Sequence, residues 1–363
     1  MRTELTSILT GAATTKRLLG GLACAALMAL AAAAPAKAAE KLAYFTWSGY
    51  ELPDFNKSYV AAHPDALDIS VFGDDDDAYT KVKAGFHPDI AHPCYDKVAI
   101  WRKAGLIQPI DTARLKNWDT IFPIFKKLPD LQAEDGKVWM VPWDWGNTSI
   151  LYRTDLIKNP EQSWNLLWDK QYTGRIATID AVHDTPIVAG LLAGVNPFDL
   201  GAGDLDKVAA KLREQRPLLR SYTTDMTSVE QSLASGELVA AMTWNASATT
   251  LKKQGVKVEF MKPKEGMLTW ACGIVILKDA AHVDLAYDFI NSRLEAESGK
   301  QLIEQYGYGS ASSAAFAQVP KEDLDRLQLP ADPEVMLKTT VFTGPMKQNE
   351  DLAKMFEKVK AGG

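Results

Sequence analysis

Five aromatic residues, Trp47, Tyr50, Trp244, Trp270 and Tyr308, fall at the ends of predicted strands or in the loops that follow them, and several carboxylates stand at comparable places. Indole and phenol rings beside a carboxylate make a box for an ammonium group. The ring quadrupole, the ion pair and apolar contact with a methylene chain all favour the same ligand. Taken singly, each ring reads better as core than as site, because a Trp is usually buried for packing. The binding reading rests on the set.

No other chemistry has residues to carry it. The chain lacks a Gly-x-Ser-x-Gly elbow, a phosphate loop and a glycine-rich dinucleotide fingerprint after a strand. A hydrolase built from Asp180, His183 and Asp184 has no defined catalytic spacing behind it, so no enzyme activity is expected. His87 and His92 are separated by prolines that oppose a shared helical face, and two cysteines alone do not make a metal site. Neither a metal nor a cofactor is expected.

Lys16 and Arg17 precede an apolar run from Leu18 to Ala34 that ends in Ala36-Lys37-Ala38. Residues 1–38 therefore read as a cleaved secretory signal, with cleavage before Ala39 and a periplasmic destination. A membrane anchor is the alternative, but the run is short, alanine-rich and closed by small residues. Removing Arg2, Lys16, Arg17, Lys37 and Glu4 with that segment takes the formal charge from −6 to −9. An acidic exported protein is a poor partner for nucleic acid and a reasonable host for a cation. Of the three cysteines, Cys94 and Cys272 remain after processing, in a compartment that permits a bridge.

The elements that must position the aromatics alternate between strand and helix. Leu42–Thr46 is β-rich and stops at the turn-like Ser48-Gly49. Residues 78–84 have helical spacing, Asp89-Ile90-Ala91 reads as a strand, and after the loop His92-Pro93-Cys94-Tyr95 helix resumes at 98–104. The same alternation recurs in 175–179 before the helix at Pro186, and in 239–243 before 246–254. This predicts an α/β protein whose loops at the carboxyl ends of strands form the site. A mature chain of this length fits two lobes. Val141-Pro142-Trp143-Asp144-Trp145-Gly146 has strand character broken by Pro and Gly and suits a crossing between them. Ser163 reads as a helix start that puts Trp164 and Trp168 on one face, in the core. The run Asp74–Asp77 complements a helix dipole and faces water, or one of its acids serves the site.

From Tyr44-Phe45-Thr46-Trp47-Ser48-Gly49-Tyr50 to Lys358-Val359-Lys360-Ala361-Gly362, the chain resembles the periplasmic spermidine/putrescine-binding proteins of ABC importers. Landmarks between these ends are Gly105-Leu106-Ile107-Gln108-Pro109-Ile110-Asp111, Trp244-Asn245-Ala246-Ser247-Ala248, Pro263-Lys264-Glu265-Gly266 and Gly307-Tyr308. The resemblance implies a bilobal α/β periplasmic-binding-protein fold with crossing hinge strands. It places the N-terminal lobe at 39–143 and 271–316 and the C-terminal lobe at 144–270 and 317–363. It implies capture of a polyamine, a diamine or a similar small amine, and delivery by a monomer to importer permease subunits. A zwitterionic ω-amino acid is the alternative ligand.

Carried over residue by residue, the resemblance puts Trp47 and Tyr50 on the first binding loop, with Ser48 between them. Trp244 and Trp270 become the walls of the cleft, and Tyr308 a site tyrosine. Asp184 stands for an amine-pairing acid, and Asp180 lies within one position of another; Asp184 also reads as a helix N-cap before Pro186. Tyr95 joins the candidate set beside Cys94, which takes the place of a small polar residue. Cys272 stands where the family has an Asp for a central amine, which argues against long polyamines. Cys94 and Cys272 then form a disulfide at the ligand wall, or remain two small core residues. Apart from the resemblance, Arg175 and Arg220 are the basic candidates should the ligand have a carboxylate, though each reads better as a surface residue.

Overall fold

The computed structural model describes residues 40–129, 131 and 136–363, so the expected signal segment lies outside the described residues. Twelve strands are found among them: β1 Leu42–Trp47, β2 Leu67–Phe72, β3 Ile90–Ala91, β4 Ile107–Gln108, β5 Val141–Arg153, β6 Ile176–Thr178, β7 Leu219–Tyr222, β8 Ala240–Trp244, β9 Val258–Phe260, β10 Leu268–Leu277, β11 Gly309–Ser310 and β12 Val341–Phe342.

β1 pairs in parallel with β2 and β3, and the far end of β10 closes this first sheet antiparallel to β3 and β4. In the second sheet β6 lies parallel to β7 and β8, and β8 lies antiparallel to β5. The two sheets are joined by β5 and β10, which run antiparallel from Leu268 opposite Thr148 to Ile274 opposite Val141. Both long strands are almost wholly buried. β10 reads as a nearly continuous apolar run because a strand covered on both faces gains from burying every side chain, whereas β5 buries Asp144, Asn147, Thr148 and Ser149 as well.

Each sheet has its own core. The first gathers Tyr44, Phe45, Ile90, Trp101, Phe125 and Phe289, and the second Ile150, Trp164, Ile176, Val188 and Phe356. The molecule is thus a bilobal α/β fold with crossing strands between the lobes. Parallel strands lead into helices, so β1, β3, β6 and β8 all deliver their last residues to loops at the same kind of edge.

The predicted elements occur with shifted ends, and three local readings change. Asp74 caps the helix Asp75–Lys83, its carboxylate accepting from the N–H groups of Asp76 and Asp77, but Asp75 is buried and does not face water. Trp164–Trp168 is one five-residue 3₁₀ segment, started by Ser163; Trp164 is fully buried and Trp168 packs on the same core. Asp184 precedes the helix Thr185–Leu192 without any side-chain capping bond, so the cap reading fails.

Candidate functional site

Where β1 ends, Trp47 and Tyr50 turn across the edge of the first lobe, a turn that Gly49 permits by adopting a φ of +97°. Trp244 ends β8, Trp270 lies on β10, and Tyr308 follows the helix Ala296–Tyr306. These five residues come from distant parts of the chain and meet in one aromatic cluster with Phe55, Trp143, Leu302 and Tyr306. Tyr50 and Tyr308 are buried; Trp47, Trp244 and Trp270 are half-buried. The rings form a ladder. Tyr50 stacks on Tyr306 at 5.7 Å, Tyr306 on Tyr308 at 5.7 Å, and Tyr308 meets Trp270 edge-on at 4.8 Å.

Polar contacts fix the ladder. Tyr306 donates its hydroxyl to the carbonyl of Gly49. Asn245, next to Trp244, accepts from the Asn147 N–H at 3.0 Å and donates to the Gly307 carbonyl at 2.5 Å, which ties the end of β8 to both β5 and the Tyr308 loop. Gly146 is paired with Trp270, and a Cβ at that position would run into the indole ring. The glycine therefore gives the indole its resting place.

Asp144 is the acid of this cluster. It is 1 % exposed, accepts from the Tyr50 hydroxyl at 2.7 Å, and lies 2.7 Å from His92 Nε2. Thr46 holds the other nitrogen of that imidazole at 3.1 Å. Burial, reinforced by the Asp144 charge, raises the Tyr50 hydroxyl well above its ordinary value, so Tyr50 remains a donor. Arg293, fully buried and set 4.6 Å over the Trp143 ring, adds a positive charge that feels Asp144. Glu230 is a second acid near the ladder. Half-buried, it faces Tyr308 and Ser247, and desolvation raises its carboxyl.

Alternation along β5 places Asp144, Gly146 and Thr148 on one face. Their partners on β10 are Cys272, Trp270 and Leu268. A register shift between Cys272 and Gly273 leaves Trp143 as the extra residue on β5, and it packs into the aromatic cluster. Cys94 and Cys272 form a disulfide that joins the loop after β3 to this floor. Asp184, half-buried, approaches from the second lobe. Desolvation pushes its carboxyl up to about 7; the Thr148 hydroxyl facing it lowers it in part, and Asp96 raises it again.

The remaining candidates go elsewhere. Asp180 is held by Lys360 of the C-terminal helix at 2.5 Å and does not face the aromatic cluster. Tyr95 is buried against Phe342, with its hydroxyl toward Gly344, on the side away from the indoles. Ser48 is exposed at the rim. Arg220 pairs with Glu237 at 3.0 Å, and Arg175 donates to the Gly236 carbonyl at 2.8 Å, so neither reaches the cleft. His92, Trp143, Asp144, Glu230 and Tyr306 belong to the site and were not among the candidates. The one signal in the sequence for part of this group is Asp144 set between Trp143 and Trp145 in a strand broken by Pro142 and Gly146.

Two lobes on crossing strands, with an aromatic and acidic cluster gathered at strand ends, suit a binding protein for a small solute. The family model "Bacterial extracellular solute-binding protein" matches residues 55–331, and the chain belongs to that family. Its members are solute-binding components of transporters and not enzymes. The chain is 27 % identical to the putrescine-binding periplasmic protein PotF of Escherichia coli (strain K12), covering 96 % of this chain and 98 % of the relative. A solved structure described as a putative spermidine/putrescine ABC transporter from Listeria monocytogenes superposes with a TM-score of 0.78 at 22 % identity, over 88 % of this chain and 99 % of that one. A GABA receptor superposes with a TM-score of 0.67 at 20 % identity, over 89 % and 96 %. Among the described residues no helix is long and apolar enough to cross a membrane.

Proposed function

We propose that the chain is the periplasmic capture component of an ABC importer for a short diamine of the putrescine type. The observation that carries this is the meeting of Trp47, Tyr50, Trp244, Trp270 and Tyr308 in one cluster beside buried Asp144. An ammonium with its methylene chain fits that box better than any anion, because the rings present negative faces and the nearest buried acid is a carboxylate. The relatives named for putrescine and spermidine support the same class. By the resemblance Cys272 stands where the family has an acid for a central amine, and its bridge to Cys94 leaves no acid there, which favours a diamine over a longer polyamine.

Residues 1–38 are removed on export, the mature chain is a monomer, and the lobes are 39–143 with 271–316 and 144–270 with 317–363. Closure of these lobes over the ligand presents a surface to the permease subunits. A second reading, a zwitterionic ω-amino acid such as GABA, is favoured by one observation. The buried indole N–H groups of Trp47, Trp143 and Trp270 have no acceptor in the protein and would serve a carboxylate.

Thermal unfolding with putrescine, spermidine, GABA and common α-amino acids tests both, since a ligand of the native state raises the midpoint. A shift with putrescine supports the diamine. Silence with both amines and a shift with GABA would transfer the assignment to the zwitterion.

A further inference from the structure

Arg293 closes the helix Val283–Arg293 and is 1 % exposed. Its guanidinium lies 4.3 Å from the centre of the Phe289 ring and 4.6 Å from that of Trp143, and no carboxylate among the described residues stands within ion-pair distance. Nη2 donates to Asn56 Oδ1 at 2.5 Å; Nε and Nη1 have no hydrogen-bond partner. A guanidinium stays charged at any pH the protein meets, so burial on these terms is costly. A cation in a last turn could serve the helix dipole from the surface, so the dipole does not account for the burial.

The guanidinium does what an apolar side chain of similar size could not: it orients Asn56, itself 3 % exposed. With Oδ1 accepting from Arg293, Nδ2 is turned to the carbonyls of Leu52 at 3.0 Å and Glu51 at 3.4 Å. These residues close the loop that leaves β1 at Trp47 and carries Ser48 and Tyr50. Leu52 starts the helix Pro53–Ala62 without a side-chain cap of its own, so the Asn56 amide is the side chain that pins it. The same guanidinium lies over Trp143, whose ring meets Tyr50 edge-on at 5.6 Å. We propose that Arg293 is a positioning residue that braces Tyr50 from two sides, through the loop and through the ring, and so orders the first binding loop before ligand arrives. The proposal rests on the reading of that loop as part of the amine site and adds the residue that preorganises it.

Two substitutions separate positioning from packing alone. Asn56→Asp gives Arg293 a carboxylate in place of an amide oxygen and loses the donor to Leu52 and Glu51. It should hold the urea midpoint at or above the wild-type value, because the buried charge gains an ion pair, and yet release the loop. Arg293→Lys keeps the charge but not the planar fork that holds Asn56 and covers Trp143 together. In both variants, free of ligand, the amides of residues 48–52 should exchange hydrogen about tenfold faster, with those of β10 unchanged. Putrescine should bind about tenfold more weakly, as for a loop in place about a tenth of the time. Stopped-flow tryptophan fluorescence should put that loss in the association rate, with dissociation within about twofold of wild type. An added negative charge would by itself hasten capture of a cation, so slower capture by Asn56→Asp reports on the loop.

An Asn56→Asp protein as stable as wild type, with wild-type exchange and association rates, would overturn the proposal. So would a loss found in the dissociation rate alone, the mark of a lost ligand contact. Should Asn56→Asp lose its fold, Arg293→Lys decides by the same readouts. If putrescine does not bind wild-type protein, the amine reading fails, and exchange in the ligand-free variants still decides the brace: faster exchange at 48–52 upholds it and unchanged exchange refutes it.

Discussion

Replacing Asp184 by Asn should remove most of the pH dependence of amine binding. In the protein without ligand, desolvation holds this carboxyl at about 7, against an ordinary value of 3.8. An ammonium beside it favours the ionised form, so binding must expel whatever proton the carboxyl carries. At pH 6 that is about 0.9 of a proton and at pH 7 about half, falling toward zero by pH 9. If the bound carboxyl returns to its ordinary range, the dissociation constant should weaken about a hundredfold between pH 8 and pH 5. Aliphatic amines stay protonated throughout that window, so the ligand contributes nothing to the slope.

The same shift acts on stability with the opposite preference. The folded state binds the proton more tightly than the unfolded state, so the ligand-free protein loses stability as pH rises from about 4 to 7, by up to roughly 4 kcal/mol for this one group. Asp184→Asn should remove this group's share from both curves, while Asp75, Glu230 and His183 keep their own shifts and still bend the stability curve. Titration calorimetry in buffers of different ionisation enthalpy measures the proton release directly. Binding of putrescine that releases no proton at pH 6 and changes less than threefold from pH 8 to pH 5 would refute the assignment of Asp184 to the cleft.

Trp270→Ala should weaken putrescine about five- to thirtyfold, the worth of one desolvated cation–π wall, and Gly146→Ala should weaken it in the same direction by displacing the indole; both are read by calorimetry. Asp144→Asn should destabilise the fold by about 3–5 kcal/mol in urea unfolding, because it breaks a buried network and leaves Arg293 without its opposing charge. Replacing Cys94 and Cys272 together by Ser should cost up to about 5 kcal/mol, given the 178 residues the bridge spans. Alkylation of the unreduced, denatured protein should leave both cysteines unmodified, and labelling at either would remove the bridge.

The alternation of strand and helix, the two-lobe scale and the aromatic set could be read from the chain alone. Apolar periodicity and turn residues report local conformation, and Trp47, Trp244 and Trp270 each sit at a strand end or on a long apolar strand that local pattern identifies. Local pattern does not choose partners. Asp144 became the acid of the cleft because antiparallel pairing of β5 with β10 brings it opposite Cys272 and beneath Tyr50, 94 residues away. Asp180 and Asp184 stand four residues apart, yet one is captured by Lys360 from the far end of the chain and the other is left facing Thr148. Asp75 looks like one solvated acid among four, and only helix orientation against the Cys94 loop buries it. A carboxylate's role depends on its desolvation and its neighbours' charge, both of which are fixed by segments distant in sequence, so the folded structure alone decides which acid caps, which pairs and which waits for a cation.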